Sequence, residues 1–538
     1  MYDYVIVGAG SAGCVLANRL SEDPDVSVVV IEAGGADAND LIHVPAAFPA
    51  LFRTERDWDF STGYEPRCNN RRIYLPRGKV LGGSSSINGM KYVRGNPRDY
   101  DEWRDRGCGG WGWDDLLPYF IRAEDSERGT SDLHGSGGPL PVSLAQARNA
   151  IEQAFIDAAV ADGLPASDDF NGPDQDGVGW YDFTYRDGRR ASTAASYLHP
   201  AAERPNLTIE TRARALGILF EGTRAVGVSV TRQDRPVELR ADREVIVCAG
   251  AYGSPQLLML SGIGRPDELL RLRIEPVAEL PGVGLSLQDH PLAGATYLSD
   301  RADTLFDAFN AANLELLEQG RGPLAGAGSE AGAFVRTTDG LDAPDLQLLT
   351  LPALWIEEGL VPGHTPGFSI GASPLKPASR GQVALVSPDP TAKPLIVHNY
   401  FAEPEDMRVQ IEGVRLAMEI AGTEPLAACL SDPYQTPASD SDEDIESHVR
   451  AHAQTQYHPV GSCRMGVDEL AVVDPELRVR SVEALRVVDA SIMPVIPRAN
   501  TNAPTIAIAE KAADLIRGRA ASADPVAAAG GAAEQSPE

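Results

Sequence analysis

The first thirty-two residues restrict the fold of this chain more tightly than any other stretch. Tyr4-Val5-Ile6-Val7 is a short apolar run suited to a buried parallel strand. Gly8-Ala9-Gly10-Ser11-Ala12-Gly13 follows, and Cys14 to Leu20 then has helical spacing that Asp23-Pro24 breaks. Val26 to Ile31 reads as a second buried strand, ending at Glu32. This is a βαβ unit with GxGxxG in its first turn. Gly8 permits the tight turn, Gly10 lets the backbone approach a pyrophosphate, and Gly13 lets helix and strand pack closely. The helix N-terminus offers unpaired N–H groups and partial positive charge to phosphates. Glu32 stands 19 residues after Gly13, where a carboxylate can accept both hydroxyls of an adenosine ribose. The unit binds a dinucleotide, and by itself it does not separate NAD from FAD.

Two later segments favour a flavin. The strand 244–248 ends in Ala249-Gly250, and the strand 485–488 ends in Asp489-Ala490-Ser491. In a doubly wound sheet, ligands sit beyond the carboxyl ends of the strands, so three turns can converge on one extended cofactor. Asp489 would then face the ribityl chain or the pyrophosphate; its alternative is an ordinary turn or capping aspartate.

The rest of the chain sets limits. Its 538 residues allow about three domains, or one large domain with an insertion. With 47 basic and 77 acidic residues, a net charge of -30, bulk electrostatics argue against nucleic acid or an anionic membrane face as a partner, and no nucleic acid is expected. The six cysteines form no CxxC and no Cys/His cluster has zinc spacing, so no metal is expected. The chain opens directly on a strand without a basic leader, and no run of 18 apolar residues occurs. These features read as a reduced, cytoplasmic chain, with peripheral membrane contact left open. Helices are predicted over 97–125, 150–162, 405–421 and Thr505 to Ile516, and strands over 207–209, 217–220 and 226–230. The three tryptophans Trp103, Trp111 and Trp113 are expected to pack, and the Ala/Gly/Pro-rich stretch 519–538 to be disordered.

Further motifs carry a resemblance. Gly78-Lys79-Val80-Leu81-Gly82-Gly83-Ser84-Ser85-Ser86-Ile87-Asn88, the run from Gly250 to Gly264, Leu287-Gln288-Asp289-His290-Pro291, Tyr457-His458-Pro459-Val460-Gly461 and Asn500-Thr501-Asn502-Ala503-Pro504-Thr505 resemble the GMC (glucose–methanol–choline) oxidoreductases over nearly all of residues 1–517. The branch most similar is that of choline and aliphatic alcohol dehydrogenases. The resemblance implies an α/β fold: a Rossmann-like FAD-binding domain from 1–154, 196–299 and 456–518, and a substrate-binding domain on an antiparallel sheet (an α+β part) from 155–195 and 300–455. It implies cofactor contacts at Gly8, Gly10, Ser11, Ala12, Gly13, Glu32, Ala33, Gly82, Ser84, Asn88, Gly89, Ala215, Ala249, Gly250, Asp489, Ala490, Asn502 and Thr505. Some members attach FAD through a histidine in the first signature. The matching position here is Ile87, so non-covalent FAD is expected.

The chemistry implied is oxidation of a primary alcohol to an aldehyde, with hydride passing to flavin N5 and the hydroxyl proton to a base near neutrality. The resemblance makes His458 that base and Asn502 the amide that holds the substrate oxygen; the alternative for Asn502 is a helix cap. The helix behind it would stabilise negative charge on the flavin. Tyr457 either lines the substrate pocket or only packs. His290 reads as part of a structural turn and Cys463 as buried and inert. The electron acceptor is a quinone, a carrier or O2. The family also contains a hydroxynitrile lyase and a light-driven fatty acid decarboxylase, and these remain alternatives.

Overall fold

The computed structural model describes residues 1–233, 235–301 and 303–519. The N-terminal unit forms as its pattern predicts: strand Tyr2–Val7, helix Ser11–Leu20 and strand Val28–Ile31. Val28–Ile31 is buried along its whole length, as a parallel strand covered on both faces must be. Both strands enter a sheet ordered Leu207–Glu210, Val28–Ile31, Tyr2–Val7, Arg235–Val247. Leu485–Val487 pairs in parallel on the far side of Arg235–Val247. The first half of Arg235–Val247 pairs antiparallel with Arg224–Arg232, which in turn pairs with Ala215–Glu221.

Register decides where a ligand can sit. Val7 lies opposite both Ile31 and Val247, and Val247 lies opposite Val487. Four parallel strands therefore end in one row. The turns that follow them, at Glu32, Gly8, Cys248 and Val488, leave the sheet along a single edge.

A second sheet is antiparallel, in the order Pro433–Gln435, Pro291–Leu298, Gly367–Pro374, Leu346–Leu351, Ala331–Val335, Gly177–Trp180. Helices Pro404–Gly422 and Ala150–Ala161 cover it, and a separate buried apolar cluster fills the space between. Strand Pro291–Leu298, which the sequence division counts with 196–299, pairs in this second sheet. Its start is joined to Gln454–Thr455, so the entry and exit of this sheet lie side by side.

The predicted helix over 97–125 is two, Pro97–Asp105 and Trp113–Ala123, because the Gly-rich run 107–112 interrupts it. Trp103 and Trp111 are fully buried and donate to the Val495 and Pro475 carbonyls, as packing residues with a polar handle do. The C-terminal helix runs Asn502–Arg517. Of the stretch expected to be disordered, 520–538 lies outside the described residues. Among the described residues no helix is long and apolar enough to cross a membrane.

Gly13 holds the first helix against the first strand. A Cβ there would lie 1.8 Å from the Gly8 carbonyl oxygen, which no side-chain adjustment relieves. Gly13→Val is expected to cost about 3 kcal/mol or more, lowering the thermal midpoint and the flavin retained on purification. Wild-type melting and wild-type flavin absorbance in the variant would contradict this packing.

Candidate active site

The strand ends open into a cavity of about 420 Å³ that runs from Glu32 to His458. At one end helix Ser11–Leu20 begins behind Gly10 with no side-chain cap and no acidic residue in its first turn. Its N–H groups therefore meet the cavity bare, the arrangement that takes a phosphate. The Glu32 carboxylate accepts from Ala9 N at 3.1 Å and Gly34 N at 2.8 Å. Burial raises its pKa to about 7, against the pull of those N–H donors. Asp489 clamps the next two strand ends together: it accepts from Gly250 N (2.9 Å), Ser254 Oγ (2.5 Å) and Ser491 N (2.8 Å). Gly83 (φ +54) sits so close to the glycine turn that a Cβ would come within 2.6 Å of Gly10 Cα, bringing Ser84, Asn88 and Gly89 to the same wall.

Of the cofactor contacts expected from sequence, Gly8, Gly10, Ser11, Ala12, Glu32, Ala33, Ser84, Asn88, Gly89, Ala215, Ala249, Gly250, Asp489, Ala490, Asn502 and Thr505 line this cavity. Gly13 and Gly82 do not. Gly13 is behind the turn as a packing residue, and Gly82 (φ +84) makes the bend whose N–H reaches the Ala9 carbonyl at 2.8 Å.

At the other end the geometry centres on His458. Tyr457 has a left-handed backbone (φ 71), uncommon for a bulky residue. Two hydrogen bonds hold it there: its N–H donates to Thr455 Oγ1 (2.7 Å), and its carbonyl accepts from Arg77 Nη2 (2.7 Å). The turn presents both Tyr457 and His458 to the cavity. The His458 N–H donates to Asp289 Oδ1 at 2.8 Å, while Tyr400 and Thr455 hydroxyls occupy Oδ2.

The imidazole has a determined tautomer. His290 Nε2 lies 3.0 Å from the Leu375 carbonyl, which only accepts, so Nε2 carries the hydrogen. Burial lowers the His290 pKa to about 4, so the ring is neutral and its Nδ1 is an acceptor. His458 Nδ1, 2.9 Å away, must donate to it. His458 is itself held neutral by burial and by His290, Arg77 and Lys91. Its Nε2 therefore keeps a lone pair, which meets the Asn500 amide at 3.1 Å. Gln347 Nε2 at 3.5 Å faces Asn500 Oδ1 and turns the Asn500 NH₂ toward His458.

Two contacts add to the sequence reading. His290, in its turn, hydrogen-bonds the imidazole of His458. The amide that hydrogen-bonds His458 is that of Asn500, while Asn502 lines the same cavity. Asn502 is the first residue of the C-terminal helix, and its Oδ1 accepts from Ser11 Oγ at 2.7 Å, tying together the two helix starts. Both contacts lie in motifs already visible, Leu287 to Pro291 and Asn500 to Thr505. The second holds two asparagines that sequence alone cannot rank.

Profiles of the GMC oxidoreductase family match residues 2–292 and 377–509. The chain belongs to the GMC oxidoreductase family. It is 45% identical over 537 residues to oxygen-dependent choline dehydrogenase 1 of Chromohalobacter salexigens, covering 96% of this chain and 95% of that one. Human mitochondrial choline dehydrogenase is 43% identical over 537 residues, covering 97% and 90%. Among solved structures, pyridoxine 4-oxidase from Mesorbium loti aligns with TM-score 0.89 at 33% identity, covering 97% of this chain and all of that one. A formate oxidase aligns with TM-score 0.88 at 28% identity, covering 96% and 98%. This GMC oxidoreductase is an FAD-dependent enzyme acting on CH–OH groups.

The residues fit that cofactor. Two bare helix starts meet the cavity side by side, since helix Asn502–Arg517 also lacks a side-chain cap and a first-turn acid and its Asn502 is bonded to Ser11. From there the cavity passes the ends of three strands.

The buried histidines give a pH prediction. His290 and His398 have folded pKa values near 4 against an ordinary 6.5, both through burial. Between these values the unfolded chain binds more protons, so stability falls as pH drops from about 6.5 toward 4. The raised Glu32 acts in the opposite sense over the same window, so the test is the difference between variants: the change in thermal midpoint from pH 7 to pH 5 should be less unfavourable in His290→Gln than in wild type. An equal change in the two proteins would contradict neutral burial of His290.

Proposed function

We propose that this enzyme oxidises a primary alcohol to its aldehyde, with His458 Nε2 taking the hydroxyl proton. The observation that carries the reading is the lone pair of His458 Nε2, kept unprotonated by the Leu375–His290 chain and meeting the Asn500 amide inside the cavity. An alcohol that displaces this contact donates its O–H to Nε2 and accepts from Asn500 Nδ2. The amide then stabilises the oxygen as negative charge develops. A base held neutral at physiological pH is available before substrate arrives. Tyr457 forms part of the substrate wall.

FAD, when bound, supplies the hydride acceptor at flavin N5. Gly8, Gly10, Ser11 and Ala12 would hold its pyrophosphate, Glu32 and Ala33 its adenosine ribose, and Ser84, Asn88, Gly89, Ala249, Gly250, Asp489 and Ala490 its middle and ring. Ile87 lines the cavity and has no nucleophile, so FAD would not be attached covalently at that position. Asn502 belongs with these contacts rather than with the proton transfer. The N-terminal dipole of its helix would favour negative charge on a ring bound there. Molecular oxygen is the acceptor, a reading supported by the names of the oxygen-dependent dehydrogenases and oxidases above.

Anaerobic addition of a substrate alcohol should bleach the flavin, and air should then restore it with release of peroxide. His458→Ala should slow bleaching about 10²-fold or more, and Asn500→Ala about tenfold or more. The acid limb of kcat/KM should fall below pH 6.5. No bleaching by any of a broad alcohol panel would overturn the reading in favour of lyase or decarboxylase chemistry. Bleaching without peroxide would shift the acceptor to a quinone or carrier.

A further inference from the structure

Lys91 is a cation that the proton transfer does not use. It opens the short strand Lys91–Tyr92 and lines the cavity. Its Nζ donates to Ser329 Oγ at 2.7 Å and lies over the rings of Tyr181 (5.3 Å) and Phe183 (5.9 Å). Ser329 lies two residues before the Ala331–Val335 strand, which places the ammonium beside the antiparallel sheet. It has no ion-pair partner among the described residues. Two buried carboxylates, Glu152 and Glu330, act on it without contacting it, and neither lines the cavity. Glu152 accepts from two backbone N–H groups and Thr350 Oγ1, and Glu330 from Ala327 N and Tyr185 OH. Burial lowers the Lys91 pKa to about 8, which leaves it mainly protonated at pH 7.

The cavity wall itself sets no carboxylate against this charge. Among the described residues lining it, the carboxylates are Glu32 and Asp489, both at the sheet edge and both accepting backbone N–H groups. Around His458 the charges that reach it are Arg77 and Lys91. An aromatic wall of Phe48, Phe52, Trp355 and Tyr457 offers apolar surface to a substrate body. A quaternary ammonium there would gain ring contacts but meet the Lys91 ammonium, while the carboxylates that act on this wall, Glu358 and Asp289, lie outside the cavity lining.

We infer that Lys91 is a specificity-determining residue and that this site takes an alcohol bearing a carboxylate, which pairs with the Lys91 ammonium, rather than a quaternary ammonium alcohol. The inference rests on the alcohol-oxidising reading above.

Three benzyl alcohols of similar shape test it on the holoenzyme: para-carboxylate, para-methyl and para-trimethylammonium. The expected order of kcat/KM is carboxylate, methyl, ammonium, with about tenfold or more between the first and last. Lys91→Met should reduce the carboxylate-to-methyl ratio about tenfold, and Lys91→Arg should retain part of it. Independently of turnover, benzoate should perturb the wild-type flavin spectrum at lower concentration than benzyltrimethylammonium. An ammonium preference in either assay, or an unchanged ratio in a folded Lys91→Met, overturns the inference. If no alcohol is oxidised, the alcohol reading fails, and the wild-type binding titration still decides the charge preference.

Discussion

The Leu375 carbonyl fixes the protonation pattern on which the chemistry depends. Because it can only accept, it dictates which nitrogen of His290 carries hydrogen, and His290 passes that choice to His458. The result is a base whose lone pair points where a hydroxyl can reach it. The two groups come from different parts of the molecule. Leu375 follows a strand of the antiparallel sheet, whereas His458 lies on the return toward the dinucleotide sheet. Asp289, at the head of Pro291–Leu298, fixes the backbone of His458 from the same side. The site is therefore assembled only when both sheets are in place.

Burying charge at the sheet edge has an energetic logic. Glu32 and Asp489 are nearly inaccessible, and desolvation raises both pKa values. Each offsets that cost by accepting backbone N–H groups which the strand ends would otherwise leave unpaired. The carboxylates thus shape the turns as much as they meet a ligand. The strained backbone at Tyr457 is held in the same way, with a hydrogen bond on each side of the residue.

The local pattern carried much of this. Buried strands, a glycine turn and an acidic residue at the right distance are short-range features, and the first sheet forms as they imply. The strand ends at Ala249 and Asp489 converge because parallel register forces it. What local pattern could not carry was pairing between distant segments. Nothing near Asn500 or Asn502 says which side chain a helix start will turn toward Ser11 and which toward His458. His290 meets His458 across 168 positions. Lys91 carries no local signal of its place beside the second sheet, because its contact Ser329 lies 238 positions away. Strand Pro291–Leu298 changes sheets for a similar reason: its partners lie at 367–374 and 433–435.

Neutron diffraction from a deuterated crystal at neutral pH addresses the central claim most directly, because it locates hydrogen on each imidazole. The account predicts deuterium on His290 Nε2 and His458 Nδ1, with His458 Nε2 bare. Deuterium on His458 Nε2, whether as the other tautomer or as a doubly protonated ring, would contradict it.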